Sequence, residues 1–238
     1  MKSPSPRTLP CAAAALSLVL TACAAPPAEQ FHTLRPLPSR SQATSAVPPS
    51  QTATILSTQV TVVVGPVTIP TSADRPQWMV RRSGTQVQVQ EQQRWVQPLA
   101  NEIAEAVAQH LSQTHQMLAE VDAADQRTPG ATKPPVRVQL RVTRFENLLL
   151  PSTSASIDDE IYWTVRCNTL STALATPPVA GASGDARAGL FTASRQVPVQ
   201  AGLPPFDALA KAHAEALTEV SRRIATAVDE LKSRCSQR

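Results

Sequence analysis

Val136-Arg137-Val138-Gln139-Leu140-Arg141-Val142-Thr143 alternates apolar and polar side chains over its whole length. Successive side chains of a strand point to opposite faces, so this stretch predicts a β-strand with one buried and one wet face. Residues 161–167 repeat the pattern, and residues 190–199 repeat it more weakly. Because the segments between these three strands are polar and rich in proline and glycine, we predict an antiparallel meander.

Shorter strands are predicted upstream of this meander. Residues 59–64 form an apolar, β-branched run that is typical of a buried strand. Residues 77–82 and 86–90 are separated by Ser83-Gly84-Thr85, which indicates a hairpin turn. Residues 31–34 predict a first short strand.

Two helices are predicted from apolar residues that recur every three or four positions. The first apolar stripe consists of Trp95, Leu99, Ile103, Val107 and Leu111, and the second of Leu209, His213, Leu217, Val220, Ile224, Val228 and Leu231. The predicted fold class is therefore α/β: a single domain with a mixed, mostly antiparallel sheet of five or six strands and two long amphipathic helices. Trp95 is interpreted as a core residue.

The N-terminus has the pattern of a bacterial lipoprotein signal peptide. Lys2 and Arg7 precede a mostly apolar run, residues 11–20, which as a helix spans about 15 Å and is too short to cross a bilayer. Leu20-Thr21-Ala22-Cys23 then matches a lipobox, in which the cysteine thiol carries the lipid. We predict a signal peptide over residues 1–22, lipidation of Cys23 and a tether over residues 23–30. The alternative is an ordinary cleaved signal with a chance cysteine.

Sorting and cysteine use point to the periplasm. Ala24 follows Cys23 where inner-membrane lipoproteins usually carry aspartate, so we predict an outer-membrane lipoprotein on the periplasmic face. In an oxidising compartment Cys167 and Cys235 either form a disulfide or stand as two separate thiols. Removal of Lys2 and Arg7 with the signal would lower the net charge from +4 to +2. With this charge and only 3% aromatic residues, nucleic acid is not an expected partner.

No constellation of residues calls for catalysis, a metal or a cofactor. His110 and His115 are five apart on a helix and point in different directions. The acidic run Asp158-Asp159-Glu160 lacks the spacing of a calcium loop and is interpreted as a solvated turn. There is no GxSxG elbow and no Walker A motif. The chain is therefore predicted not to be an enzyme.

Four sequence blocks resemble the signature of the PqiC-like (YmbA-like) lipoproteins, also called ABC-type transport auxiliary lipoprotein components. They are Val64-Gly65-Pro66-Val67-Thr68-Ile69-Pro70, Asp74-Arg75-Pro76-Gln77, Arg82-Ser83-Gly84 and Arg94-Trp95-Val96-Gln97-Pro98-Leu99. The resemblance covers residues 31–233, with a flexible insertion over residues 35–57 and a C-terminal tail over residues 234–238. The chain departs from the pattern at Ser72-Ala73, at Trp78 and in the length of the insertions.

The resemblance implies a subunit of an MCE-type system for intermembrane lipid transport and membrane integrity. The implied partner is a PqiB-like periplasmic MCE protein, and self-assembly into a homo-oligomeric ring is left open. The alternative is a structural envelope lipoprotein that tethers the outer membrane to another periplasmic complex. The hypothesised partner-binding residues are Arg75, Trp78, Arg81 and Arg82, because arginine and tryptophan are frequent interface anchors. Arg75 has a second interpretation, as part of a loop locked by Asp74 and Pro76.

Overall fold

The computed structural model describes residues 28–35, 60–122, 136–150, 154–167, 185–199 and 204–235. The predicted signal peptide, Cys23 and nearly all of the predicted insertion lie outside the described residues. The described residues form eight strands and two helices. In chain order they are β1 (Gln30–His32), β2 (Thr61–Thr68), β3 (Gln77–Arg81), β4 (Val87–Trp95), α1 (Leu99–His115), β5 (Leu118–Val121), β6 (Val136–Leu150), β7 (Ser154–Cys167), β8 (Ala186–Val197) and α2 (Phe206–Cys235).

Strand β6 is the axis of the sheet. Its 15 residues extend over about 50 Å, so one of its edges has room for two neighbours in succession. Along that edge β2 pairs in parallel with the first half of β6, and β3 pairs in parallel with the second half. The other edge pairs antiparallel with β7, which in turn pairs antiparallel with β8. The predicted meander is thereby confirmed.

The sheet is completed by the short strands at its far edges. β5 pairs in parallel with β2, while β4 pairs antiparallel with β3 and in parallel with β1. The α/β class, the mixed sheet and the two amphipathic helices are confirmed. Among the described residues the sheet has eight strands, whereas the predicted total was five or six. Seven of the eight overlap segments that were predicted individually, and the one without a counterpart is β5, whose four residues show no alternation of buried and exposed side chains.

Both helices lie on one face of the sheet. α1 packs against β2 and β5, and α2 packs across β6, β7 and β8. The predicted stripe of α2 is confirmed, since Leu209, Leu217 and Ile224 are fully buried together with the other members of the stripe. α1 begins at Leu99, so Trp95 belongs to β4 and not to the helix, although it is buried as predicted.

A disulfide joins the end of α2 to the sheet. Cys235 is the last residue of α2 and Cys167 is the last residue of β7. Their sulfur atoms are bonded, and their Cα atoms lie 5.6 Å apart. The two cysteines are 68 positions apart in the sequence. Because the bond restricts the unfolded chain over that loop, it stabilises the fold by about 4 kcal/mol. The C-terminal end of α2 is therefore covalently fixed to β7.

Candidate functional site

The N-terminal segment, residues 28–35, is clamped onto the domain by a buried carboxylate. The Oε2 atom of Glu102 on α1 accepts hydrogen bonds from the Thr33 hydroxyl at 2.7 Å and from the Leu34 N–H at 2.8 Å. Glu102 is fully buried, and Leu34 is buried in the core. Because two donors of the segment converge on one buried oxygen, and a buried donor left unpaired is costly, this contact fixes the segment against α1.

A second buried residue, His32, joins the same segment to β4 and also contacts the start of α2. The Nε2 atom of His32 lies 2.7 Å from Oε1 of Gln93 on β4, and its Nδ1 atom lies 3.1 Å from Oδ1 of Asp207 on α2. At the surface, Glu29 pairs with Arg94 and Arg35 pairs with Glu105, each at 2.9 Å. The residues that directly follow the predicted tether are thus held by the sheet and by both helices.

A groove of about 610 Å³ lies between this segment and the two helices. Its apolar part is formed by Phe31, Ala210 and Ala214, and polar side chains of α2 line its rim. His110 of α1 borders the groove and lies 3.0 Å from the Thr218 hydroxyl. Burial lowers the pKa of His110, and the charge of His115 lowers it further. This favours the neutral imidazole, which suits a hydrogen bond with a hydroxyl.

The structure places Trp78 in the core, which contradicts its predicted role as an exposed anchor. Its side chain is 1% exposed and stacks on Trp95 with ring centroids 4.3 Å apart. Phe206 of α2 meets its edge at 5.7 Å, and His32 lies at 4.9 Å. Trp78 is covered because Trp95, His32 and Phe206 of α2 pack around it on its face of the sheet. A partner cannot reach it without unfolding this end of the sheet.

The three hypothesised arginines do not form one exposed patch with each other. Arg81 is bound by Glu146 through two hydrogen bonds of 2.6 and 3.0 Å, and it also donates to the Gly84 carbonyl. The hydrogen bonds that Arg81 donates to Glu146, and then the charge of that carboxylate, raise the pKa of Arg81. Arg82 donates to the Gln88 side chain at 2.9 Å. Arg75 is exposed in the loop before β3, whereas Arg82 lies beyond the end of that strand.

A buried polar cluster occupies the space between α2 and the sheet. The Nδ1 atom of His213 lies 2.9 Å from Oδ1 and 3.0 Å from Oδ2 of Asp159, so a single N–H faces both oxygens. Its Nε2 atom lies 3.1 Å from Oδ1 of Asn147, and its ring stacks on Phe145. The solvated turn predicted at Asp159 is wrong, because this residue is in the middle of β7 and 1% exposed. Because His213 and Asp159 are both buried, a substrate cannot reach them, and we interpret the pair as structural.

The described residues contain no group of three or more His, Cys, Asp or Glu side chains that could hold a metal ion. Neither of the described helices is long and apolar enough to span a membrane. The N-terminal segment is thus held against the domain beside an open groove, and the polar cluster of His213 and Asp159 is buried. The comparisons with known proteins define the class of the protein.

A family model for the ABC-type transport auxiliary lipoprotein component matches residues 44–225. The chain belongs to this family, which confirms the resemblance found in its sequence blocks. It is therefore a lipoprotein-family auxiliary component of an ABC-type transport system. No curated protein matches the chain.

Two solved structures share the fold. An uncharacterized protein, 14% identical, covers 84% of this chain and 98% of its own with a TM-score of 0.53. Protein XCC0632 from Xanthomonas campestris, of the DUF330 family, is 17% identical and covers 88% of this chain and 99% of its own with a TM-score of 0.52. At these identities the likeness establishes the fold alone.

Proposed function

We propose that this chain is the outer-membrane lipoprotein subunit of an MCE-type intermembrane lipid transport system. It is anchored by lipid on Cys23, and it acts by binding a PqiB-like MCE protein in the periplasm rather than by catalysis. The observation that carries the proposal is membership of the auxiliary lipoprotein family over residues 44–225 together with the Leu20-Thr21-Ala22-Cys23 lipobox. The clamped N-terminal segment supports it, because it fixes the domain to the end of the lipid-bearing tether.

The anchor is tested by replacing Cys23 with alanine. Because the thiol is the atom that accepts the diacylglycerol, the variant should incorporate no labelled palmitate and should accumulate as uncleaved precursor at the inner membrane. Cys11→Ala is the matched control, since Cys11 lies inside the predicted signal peptide, and it should be processed normally. Palmitate labelling of a Cys23→Ala chain in the outer-membrane fraction would refute the anchor.

The partner is tested by co-purification from detergent-solubilised membranes. The wild-type chain should elute with an MCE protein, and size-exclusion chromatography of the eluate reports whether a ring of copies has formed. With Trp78 buried and Arg81 engaged by Glu146, Arg75 is the hypothesised docking residue that remains most accessible. Arg75→Glu should reduce recovery of the partner by on the order of tenfold, because it reverses the charge of an exposed side chain in the proposed docking surface.

Two comparisons make the partner experiment decisive. Arg222→Glu reverses another exposed arginine, on the outer side of α2, and should leave recovery of the MCE protein unchanged. Both variants should keep the wild-type melting temperature, so that a loss of binding is not a loss of folding. Recovery of a different periplasmic complex without any MCE protein would instead favour the structural tether.

A further inference from the structure

The two most exposed of the large apolar side chains in the described residues lie at the N-terminal segment and beside it. Among the described residues, Phe31 is 59% exposed and Val96 is 51% exposed, more than any other large hydrophobic residue. The two belong to paired segments, because the Val96 N–H donates to the His32 carbonyl at 3.0 Å. Phe31 also lines the groove between the N-terminal segment and the helices. Single exposed apolar side chains are ordinary, whereas exposed apolar side chains on neighbouring segments are candidates for a contact surface with a partner or a membrane.

We infer that Phe31 and Val96 form a membrane-contact surface that inserts into the phospholipid leaflet carrying the lipid anchor. The inference rests on the proposed function for the anchor at Cys23. Gln30 lies seven positions after Cys23, and seven extended steps of the chain reach at most about 25 Å. Phe31 is therefore among the first residues of the domain that the anchor holds at the bilayer surface. Because Glu102 and His32 fix the N-terminal segment, this edge of the domain turns toward the lipid.

The charges around this surface favour neutral lipid headgroups. Arg35 is paired with Glu105, and the exposed Lys211 lies on the groove rim with Asp207 and Glu215. Positive and negative side chains are thus close to balance, which fits zwitterionic phosphatidylethanolamine better than a strongly anionic surface. Contact should then depend on insertion of Phe31 and Val96 and respond little to salt, which screens charge interactions between exposed groups.

The test uses tryptophan as a reporter of lipid contact. All three native tryptophans are buried, Trp163 being the most exposed at 9%, so a tryptophan placed at the surface dominates any change in quenching. The reporter variant is Phe31→Trp. The matched control is Leu190→Trp, because Leu190 is 45% exposed on β8, five strands away from β1 and about 24 Å across the sheet.

The attachment to lipid is made chemically, so the result does not depend on lipidation in the cell. A chain of residues 23–238 carries the Cys23 thiol, while Cys167 and Cys235 are bonded to each other. Cys23 is coupled to a maleimide phospholipid in vesicles of phosphatidylethanolamine and phosphatidylglycerol, with or without brominated acyl chains. If Cys23 is not the lipidated residue, palmitate labelling of Cys23→Ala in cells will match that of the wild type. If the membrane contact is wrong, Phe31→Trp will not be quenched on these vesicles, although Cys23 is attached to lipid.

Phe31→Trp should show a blue-shifted emission on the vesicles and strong quenching by brominated chains, with little change when salt is raised. Leu190→Trp should show neither effect. A Val96→Trp reporter should also be quenched, and adding Phe31→Ser should reduce that quenching several-fold. Equal quenching at positions 31 and 190, or none at 31, would overturn the proposal. A blue shift of Phe31→Trp in concentrated protein without vesicles would overturn it in favour of contact with a second copy.

Discussion

Replacing His213 with leucine should lower the free energy of unfolding by about 3–5 kcal/mol, the cost of removing one member of a buried hydrogen-bonded pair. His213 is fully buried, and its imidazole contacts both carboxylate oxygens of Asp159 and the amide oxygen of Asn147. Leucine fills much of the imidazole volume, so the cavity is a minor part of the cost. The dominant part is the buried Asp159 carboxylate, which is left without the imidazole nitrogen that contacts it. Urea denaturation with an unchanged slope measures the effect.

The neighbouring position supplies the control for this prediction. Asp158 precedes Asp159 on β7 but faces the opposite side, where it pairs with Arg144 at 2.9 Å and is 32% exposed. Asp158→Ala should therefore cost less than about 1 kcal/mol. Adding Asp159→Leu to His213→Leu should recover much of the loss, because the unpaired carboxylate is then removed as well. Equal costs for the Asp158 and His213 variants, or a double variant whose costs simply add, would contradict the interpretation.

Periodicity predicted the half of this cluster that lies on the helix. His213 falls on the apolar stripe of α2, and the spacing of the stripe alone indicates that it is buried. Its partner was missed because three consecutive acidic residues were interpreted as a turn. The signal was nevertheless present, since Ile157, Asp159 and Ile161 alternate with polar residues in the way that residues 161–167 do. An acidic residue at a buried position of a strand needs a partner, and the period identifies the position but not the partner.

Trp78 was predicted incorrectly for a different reason. The hairpin of β3 and β4 is a local feature and was recognised, but its position in the sheet depends on a parallel pairing of β3 with β6, which is distant in sequence. That pairing makes β3 an interior strand, and Phe206 of α2 and His32 of β1 then cover Trp78. Whether a hairpin lies at an edge or in the interior is decided by contacts that no local pattern encodes.

The clamp on the N-terminal segment was missed in the same way. Glu102 lies three residues after Leu99 and directly before Ile103, on the buried side of α1. A charged residue there indicates a buried polar contact, yet its partners Thr33 and Leu34 are almost seventy residues earlier in the chain. The sequence therefore pointed to a site needing a partner without identifying the segment that supplies it. This segment directly follows the predicted tether.

Replacing Leu217 with aspartate should destabilise the fold by roughly 4 kcal/mol or more, because it places a carboxylate without a partner in the apolar stripe of α2. Leu217 is fully buried in the middle of the helix. Arg222→Asp introduces the same side chain at a position where 61% of the original side chain is exposed, and it should cost less than about 1 kcal/mol. The expected difference in melting temperature is about 10 °C for a domain of this size.

The comparison is made without reductant, so that the Cys167–Cys235 bond is the same in both variants. Equal melting temperatures would show that the stripe does not bury this face of α2. The predicted effect extends to the N-terminal segment, residues 28–35. At the start of α2, Phe206 contacts Trp78 and Asp207 contacts His32 of that segment. Loss of packing at Leu217 should therefore increase hydrogen exchange in residues 30–34, whereas Arg222→Asp should leave that segment protected. Unchanged exchange there would mean that the clamp holds independently of α2.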